Sequence, residues 1–157
     1  MLTIGFNHVA TITNDSERLH EFYRAVFESE VLRDGSEFPG GVGPRLSIIK
    51  LGPTAELNVF QIDGNHEADR QTPMFGRGRL DHFAIQAASI EAFDEIRQRL
   101  RDRGAADDFV TDFGSMLSVF FRDPDGLEGE VCVANPDHVP GVFHPPGTRA
   151  ARYPEEG

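Results

Sequence analysis

The feature that most restricts this chain is that it repeats itself. His8 in Phe6-Asn7-His8-Val9-Ala10 and His82 in Leu80-Asp81-His82-Phe83-Ala84 occupy equivalent places in two similar segments. At the same spacing Ala10 matches Ala84, Glu17 matches Glu91 and Glu21 matches Glu95. Each segment opens a series with one pattern of apolar spacing. Residues 4–13 read as a strand, and Leu19, Phe22, Tyr23, Val26 and Phe27 then follow helical spacing, predicting an amphipathic helix over 15–28. Asn14 with Glu17 three residues on resembles a capping box and predicts the N-cap. Val31-Leu32-Arg33, Arg45 to Leu51 and Glu56 to Ile62 supply three strands.

The second copy reads alike. Leu80 to Ala87 is a strand. Ser89 caps a helix marked by Ile90, Phe93, Ile96, Arg97 and Leu100 and stopped at Gly104. Strands follow at Phe109 to Phe113, Met116 to Arg122 and Glu130 to Ala134. The fold class expected is therefore α+β, two βαβββ modules from an internal duplication, pairing into a curved mixed sheet around a cleft. The modules are residues 1–63 and 80–134. A linker of 64–79 joins them, a Gly- and Pro-rich loop spans 36–44, and a Pro-rich tail covers 135–157, disordered or laid across a neighbour as a cap.

The last hairpin carries the chemistry. Asp123-Pro124-Asp125-Gly126 is a turn signal: Pro presets φ, and Gly accepts the positive φ other residues resist. Asp123 and Asp125 read as turn formers. On the return strand stands Glu130, a carboxylate among apolar neighbours, which costs several kcal/mol unless paired, protonated or metal-bound. Pairing with an arginine, Arg45 or Arg122, is one way out. The other is a metal: two phased histidines and one carboxylate form a ligand set. His8, His82 and Glu130 are the candidate ligands. A fourth position falls on the last strand of the first module, at Asn58, or at Gln61 if the register shifts by three; either is a poor ligand beside a carboxylate. Open positions are what a catalytic metal needs, and this set suits non-haem Fe(II) best, with Mn, Zn, Ni or Co as alternatives. Phe60, Phe120 and Cys132 are candidate substrate-pocket residues, Cys132 as a small apolar filler rather than a nucleophile. His20 reads as a solvated surface residue, and His66, His138 and His144 as linker and tail. No phosphate-cradling, dinucleotide-binding or nucleophile-elbow motif is present.

Composition narrows the partners. A net charge of −11, from 26 acidic and 15 basic residues, argues against nucleic acid or an anionic membrane. Cys132 is the single cysteine, so no intrachain disulfide forms and a reducing, cytoplasmic setting is expected. Neither a signal peptide nor an apolar run near the ~20 residues of a membrane helix is visible.

These residues resemble the vicinal oxygen chelate superfamily, which includes glyoxalase I, methylmalonyl-CoA epimerase, extradiol catechol dioxygenases, fosfomycin resistance enzymes and the bleomycin resistance protein. The resemblance rests on Asn7-His8-Val9-Ala10, Leu80-Asp81-His82-Phe83-Ala84 and Phe121-Arg122-Asp123-Pro124-Asp125-Gly126 followed by Glu130, and covers about residues 4–134. It implies paired βαβββ modules around a divalent metal held by His8, His82 and Glu130, a small-molecule substrate with adjacent oxygens, and a homodimer. Glyoxalase I has an acidic ligand on the last strand of both modules, where this chain has Asn58, and the epimerase has Gln. Extradiol dioxygenases and fosfomycin enzymes use two His and one Glu, as here. Dioxygenase-like chemistry is thus expected first and lyase or isomerase chemistry second. The alternative is a non-catalytic binder of a drug or metabolite, resembling the bleomycin resistance protein, suggested by 13 Phe and the acidic surface.

Overall fold

The computed structural model describes residues 2, 5–36, 43–62, 64–66, 76 and 80–155. The expected loop of 36–44 and linker of 64–79 fall mostly outside the described residues. Ten elements follow in the expected order. The first unit holds β1 (His8–Thr13), α1 (Ser16–Phe27), β2 (Val31–Ser36), β3 (Arg45–Lys50) and β4 (Glu56–Gln61). The second holds β5 (Phe83–Gln86), α2 (Ile90–Asp102), β6 (Thr111–Asp112), β7 (Met116–Arg122) and β8 (Glu128–Ala134). The chain divides into residues 1–71 with Pro124–Gly126, and 72–123 with 127–157.

Each unit is one four-stranded mixed sheet, ordered β1-β4-β3-β2 in the first and β5-β8-β7-β6 in the second. In both, the first strand runs parallel to the last, and the remaining pairs are antiparallel. A parallel partner needs a crossover, and the helix with two intervening strands supplies it. The duplicated βαβββ reading therefore holds.

In the first unit alternate residues of β4, Leu57 and Val59, are fully buried with Ile49, and α1 adds Leu19, Phe22, Tyr23 and Val26 to this core. Asp15, not Asn14, caps α1: its carboxylate accepts from Arg18 N at 3.1 Å, and the cap sits one residue later than expected. A second capping contact comes from β4, where Gln61 Oε1 accepts from Ser16 N at 3.0 Å. His20 corrects a further expectation. It is 1 % exposed, on the core side of α1 beside Leu19 and Tyr23. Helical spacing put it on the exposed side of α1 as a solvated residue, and the charge network described below covers it instead.

In the second unit Phe93 and Leu100 of α2 pack with Val110, Leu117, Val119, Phe121, Val131 and Val133, all buried. The β7–β8 turn is built as its residues require. Leu127 N donates to Asp123 Oδ1 at 2.9 Å, Asp123 N donates to Leu127 O, and Gly126 takes φ 77°. The segment after β8 lies on its own unit. Asp112 N bonds Thr148 O, Ala150 N bonds Val110 O, and Tyr153 is buried against Phe93 with its hydroxyl donating to Asp94 at 2.5 Å. Arg97 stacks over the Tyr153 ring. Few apolar anchors were visible because two of the holding contacts are backbone bonds.

Two outcomes follow. Tyr153→Phe removes the bond to Asp94 and lowers unfolding stability by about 1 kcal/mol in urea titration; an unchanged midpoint would mean the hydroxyl is equally well served by water. His20 is the second case: burial, opposed by the charges of Asp34 and Glu17, lowers its pKa from 6.5. The folded state thus binds fewer protons at this group than the unfolded one. Its contribution is complete above the unfolded pKa and falls as pH drops through about 6.5. Urea midpoints taken from about pH 7.5 to about pH 5.5 should fall for the wild type and fall less for His20→Gln.

Candidate functional site

The first unit places His8 at the exposed start of β1, with its Nδ1 2.8 Å from Asn7 Oδ1. Ala10 of β1 pairs with Asn58 of β4. Side chains two residues apart share a sheet face, so His8 and Asn58 lie on one face as diagonal neighbours. Phe60 follows on that face, half-buried. Asn58 Oδ1 is shielded from solvent and has no hydrogen-bond partner among the described residues. Gln61 pairs with Thr13 at the far end of the strand, and its amide oxygen serves the α1 cap.

The second unit repeats the arrangement with a different donor. Ala84 of β5 pairs with Glu130 of β8, so His82, just before β5, stands diagonal to Glu130 as His8 does to Asn58. Here the two meet: His82 Nε2 is 3.5 Å from Glu130 Oε2. His82 Nδ1 is 2.9 Å from Asp81 Oδ2, which directs Nε2 away from that contact. Phe120, opposite Glu130 on β7, sets its ring edge-on to His82, centroids 5.5 Å apart at 79°. Glu130 is 7 % exposed. Ser118 Oγ hydrogen-bonds Glu130 Oε1. Cys132 is buried on the same face; burial first, then the Glu130 carboxylate, pushes its thiol up to about 12. It stays a protonated filler at neutral pH, as its place in the strand suggested.

The arginines considered as partners for Glu130 are engaged elsewhere. Arg122 Nε lies 3.1 Å from Glu128 Oε2. Arg45 forks onto Asp34, with Nε and Nη2 each 2.5 Å from a carboxylate oxygen, and Nη2 also reaches Glu17 at 2.5 Å. No lysine or arginine pairs with Glu130 among the described residues.

That Arg45 network contains a group sequence reasoning did not assemble. Glu17, His20 and Asp34 offer donor atoms within 4.8 Å of one another, the one such trio among the described residues. Arg45 already supplies the positive charge there. Its guanidinium holds the Asp34 carboxyl below the ordinary carboxylate range, and is itself raised by the two acids. The residues are scattered over α1, β2 and β3, and no short-range spacing links them.

Comparison with known proteins follows this geometry. No curated protein matches the sequence. Among the solved structures that share the fold are these three. A glyoxylase/bleomycin resistance protein/dioxygenase domain from Frankia sp. EAN1pec is 21% identical with TM-score 0.69, over 85% of this chain and 99% of that one. A glyoxalase family protein from Enterococcus faecalis is 28% identical with TM-score 0.62, over 84% and 99%. The fosfomycin resistance protein FosX from Listeria monocytogenes, solved with Mn(II) and sulfate, is 17% identical with TM-score 0.58, over 87% and 98%. The family model for the Glyoxalase/Bleomycin resistance protein/Dioxygenase superfamily matches residues 5–131. With the duplicated βαβββ units, this match means that the chain belongs to that superfamily.

Proposed function

We propose that this chain is a metal-dependent enzyme acting on a small substrate with two adjacent oxygens, and that His8, His82 and Glu130 are its metal ligands. One observation carries the reading: Glu130 is buried without a lysine or arginine partner among the described residues. A carboxylate taken out of water costs several kcal/mol unless a positive charge or full hydrogen bonding offsets it. One hydroxyl, one thiol, which is a weak donor, and one imidazole do not complete that set. The 3.5 Å between His82 Nε2 and Glu130 Oε2 supports the same reading. It is long for a hydrogen bond, and within the ~4.2 Å that two donors each ~2.1 Å from one ion can span. The repeat supports His8, whose Nδ1 is held by Asn7 as that of His82 is by Asp81.

Two imidazoles and one carboxylate suit Fe(II) best, with Mn, Zn, Ni and Co as alternatives. The Mn(II) in the Listeria FosX structure supports a divalent ion in this fold. Such an ion, when bound, supplies Lewis-acid stabilisation of an enolate or activation of O₂. The chain's residues do the rest. Asn7 and Asp81 hold the imidazoles. Phe120 walls one side of His82, and with Phe60 offers apolar surface to a substrate. Asn58 presents an amide where a second carboxylate would stand, a weak donor that leaves room for substrate oxygens. Ring-cleaving dioxygenase-like chemistry therefore ranks first, and lyase or isomerase chemistry second. We place the enzyme in the cytoplasm, as a homodimer.

Metal analysis by mass spectrometry is the test. Wild type purified without added metal should carry about one transition-metal ion per chain, and Glu130→Ala should carry none. Iron would then direct assays to oxygen uptake with catechols; nickel, zinc or cobalt to lyase and epimerase substrates. An empty wild type after anaerobic Fe(II) reconstitution would sink the proposal, and chelator-insensitive drug binding would replace it with the binder. Stability offers an independent check. Metal-free Glu130→Gln should unfold at higher urea than metal-free wild type, by about 1–3 kcal/mol, because the amide carries no buried charge. A lower midpoint would mean that Ser118, Cys132 and His82 already satisfy the carboxylate.

A further inference from the structure

We propose that Ser118 and Asp81 are positioning residues: Ser118 selects which oxygen Glu130 presents, and Asp81 selects which nitrogen His82 presents. The inference rests on the metal-ligand reading of His82 and Glu130 given above.

Each ligand side chain has two chemically similar atoms, and only one of each pair faces the other ligand. In Glu130 the facing atom is Oε2, 3.5 Å from His82 Nε2. The other oxygen, Oε1, is taken by the Ser118 hydroxyl. In His82 the facing atom is Nε2, and the other, Nδ1, lies 2.9 Å from Asp81 Oδ2. An aspartate oxygen there only accepts, so Nδ1 carries the proton and the lone pair is left on Nε2. Both restraints thus occupy the atom that points away from the shared space.

Packing alone does not call for Ser118. It lies in the middle of β7 between Leu117 and Val119, pairs across to Cys132, and is 0 % exposed. A strand interior favours β-branched or larger apolar residues, and a buried hydroxyl is unfavourable unless it is bonded. Its bond to Glu130 is what offsets that burial. Asp81 has a counterpart in the first unit, where Asn7 Oδ1 lies 2.8 Å from His8 Nδ1. The carboxylate is the stronger acceptor of the two, so His82 is held more firmly than His8.

The test titrates Co(II) into the metal-free full-length chain. Affinity is read by chelator competition, and coordination by the visible spectrum of the ion. Ser118→Ala and Asp81→Ala should each weaken Co(II) binding about 10–100-fold and alter that spectrum, with unchanged circular dichroism. Ser118→Thr keeps the hydroxyl and should return to within about threefold of wild type; if its extra methyl prevents folding, Asp81→Ala still decides. A purely structural role would shift the unfolding midpoint and leave the spectrum of the bound ion unmoved. If Ser118→Ala and Asp81→Ala bind as wild type does while Glu130→Ala fails to bind, the positioning inference alone is overturned. If wild type takes up no Co(II), or Glu130→Ala binds it undiminished, the metal reading falls and this inference with it.

Discussion

The parallel pairing of first strand with last is the constraint on which the rest depends. It sets Ala84 against Glu130 in one unit and Ala10 against Asn58 in the other. Because strand side chains alternate, a slip of one residue would send Glu130 to the helix face and Val131 to the opposite one. The apolar residues prevent that slip. Val131 and Val133 are buried opposite Val119 and Leu117, and Gly129 leaves room for the Phe121 ring that lies against it. The register that seals the core is thereby the register that presents the carboxylate beside His82.

The two units use this shared frame differently. In β4 the burial alternates, with Leu57 and Val59 inside and Asn58 and Phe60 half-buried. In β8 nearly every residue is buried, so the face carrying Glu130 and Cys132 is shielded as well. A carboxylate on such a face has a much larger desolvation cost than an amide, which is why its neighbours matter more. Several other acidic residues pair directly with arginines. Arg45 bridges Glu17 and Asp34, and Arg97 and Arg101 meet Asp108. Glu130 stands apart from that pattern, and its partners are those that orient a carboxylate rather than neutralise it.

Much of this was legible in order. The helix periods, the Ser89 cap and the Asp-Pro-Asp-Gly turn are short-range signals, and the structure follows them. The α1 cap moved from Asn14 to Asp15 because both are good caps, and Gln61, distant in sequence, bonds the first helical N–H. His20 was misplaced because much of its cover, Asp34 and Arg45, comes from β2 and β3, remote in sequence from its own helix. The C-terminal segment was read as loose because its apolar anchors are few, Tyr153 chief among them, and its backbone bonds to the β6 region have no sequence signature.

The sequence by itself determined the duplicated βαβββ order and the residue types at the candidate site, because periodicity, turn chemistry and repetition are local properties of the chain. It also determined that Cys132 would share the face of Glu130. Only the tertiary structure decided which strands became neighbours and in what register. It decided that Arg122 and Arg45 went to other acids, that Asn58 and not Gln61 took the place equivalent to Glu130, and that Ser118 came to lie against the carboxylate. These outcomes depend on which strands, remote in sequence, share a sheet, and one-dimensional spacing cannot encode the competition among partners that burial resolves.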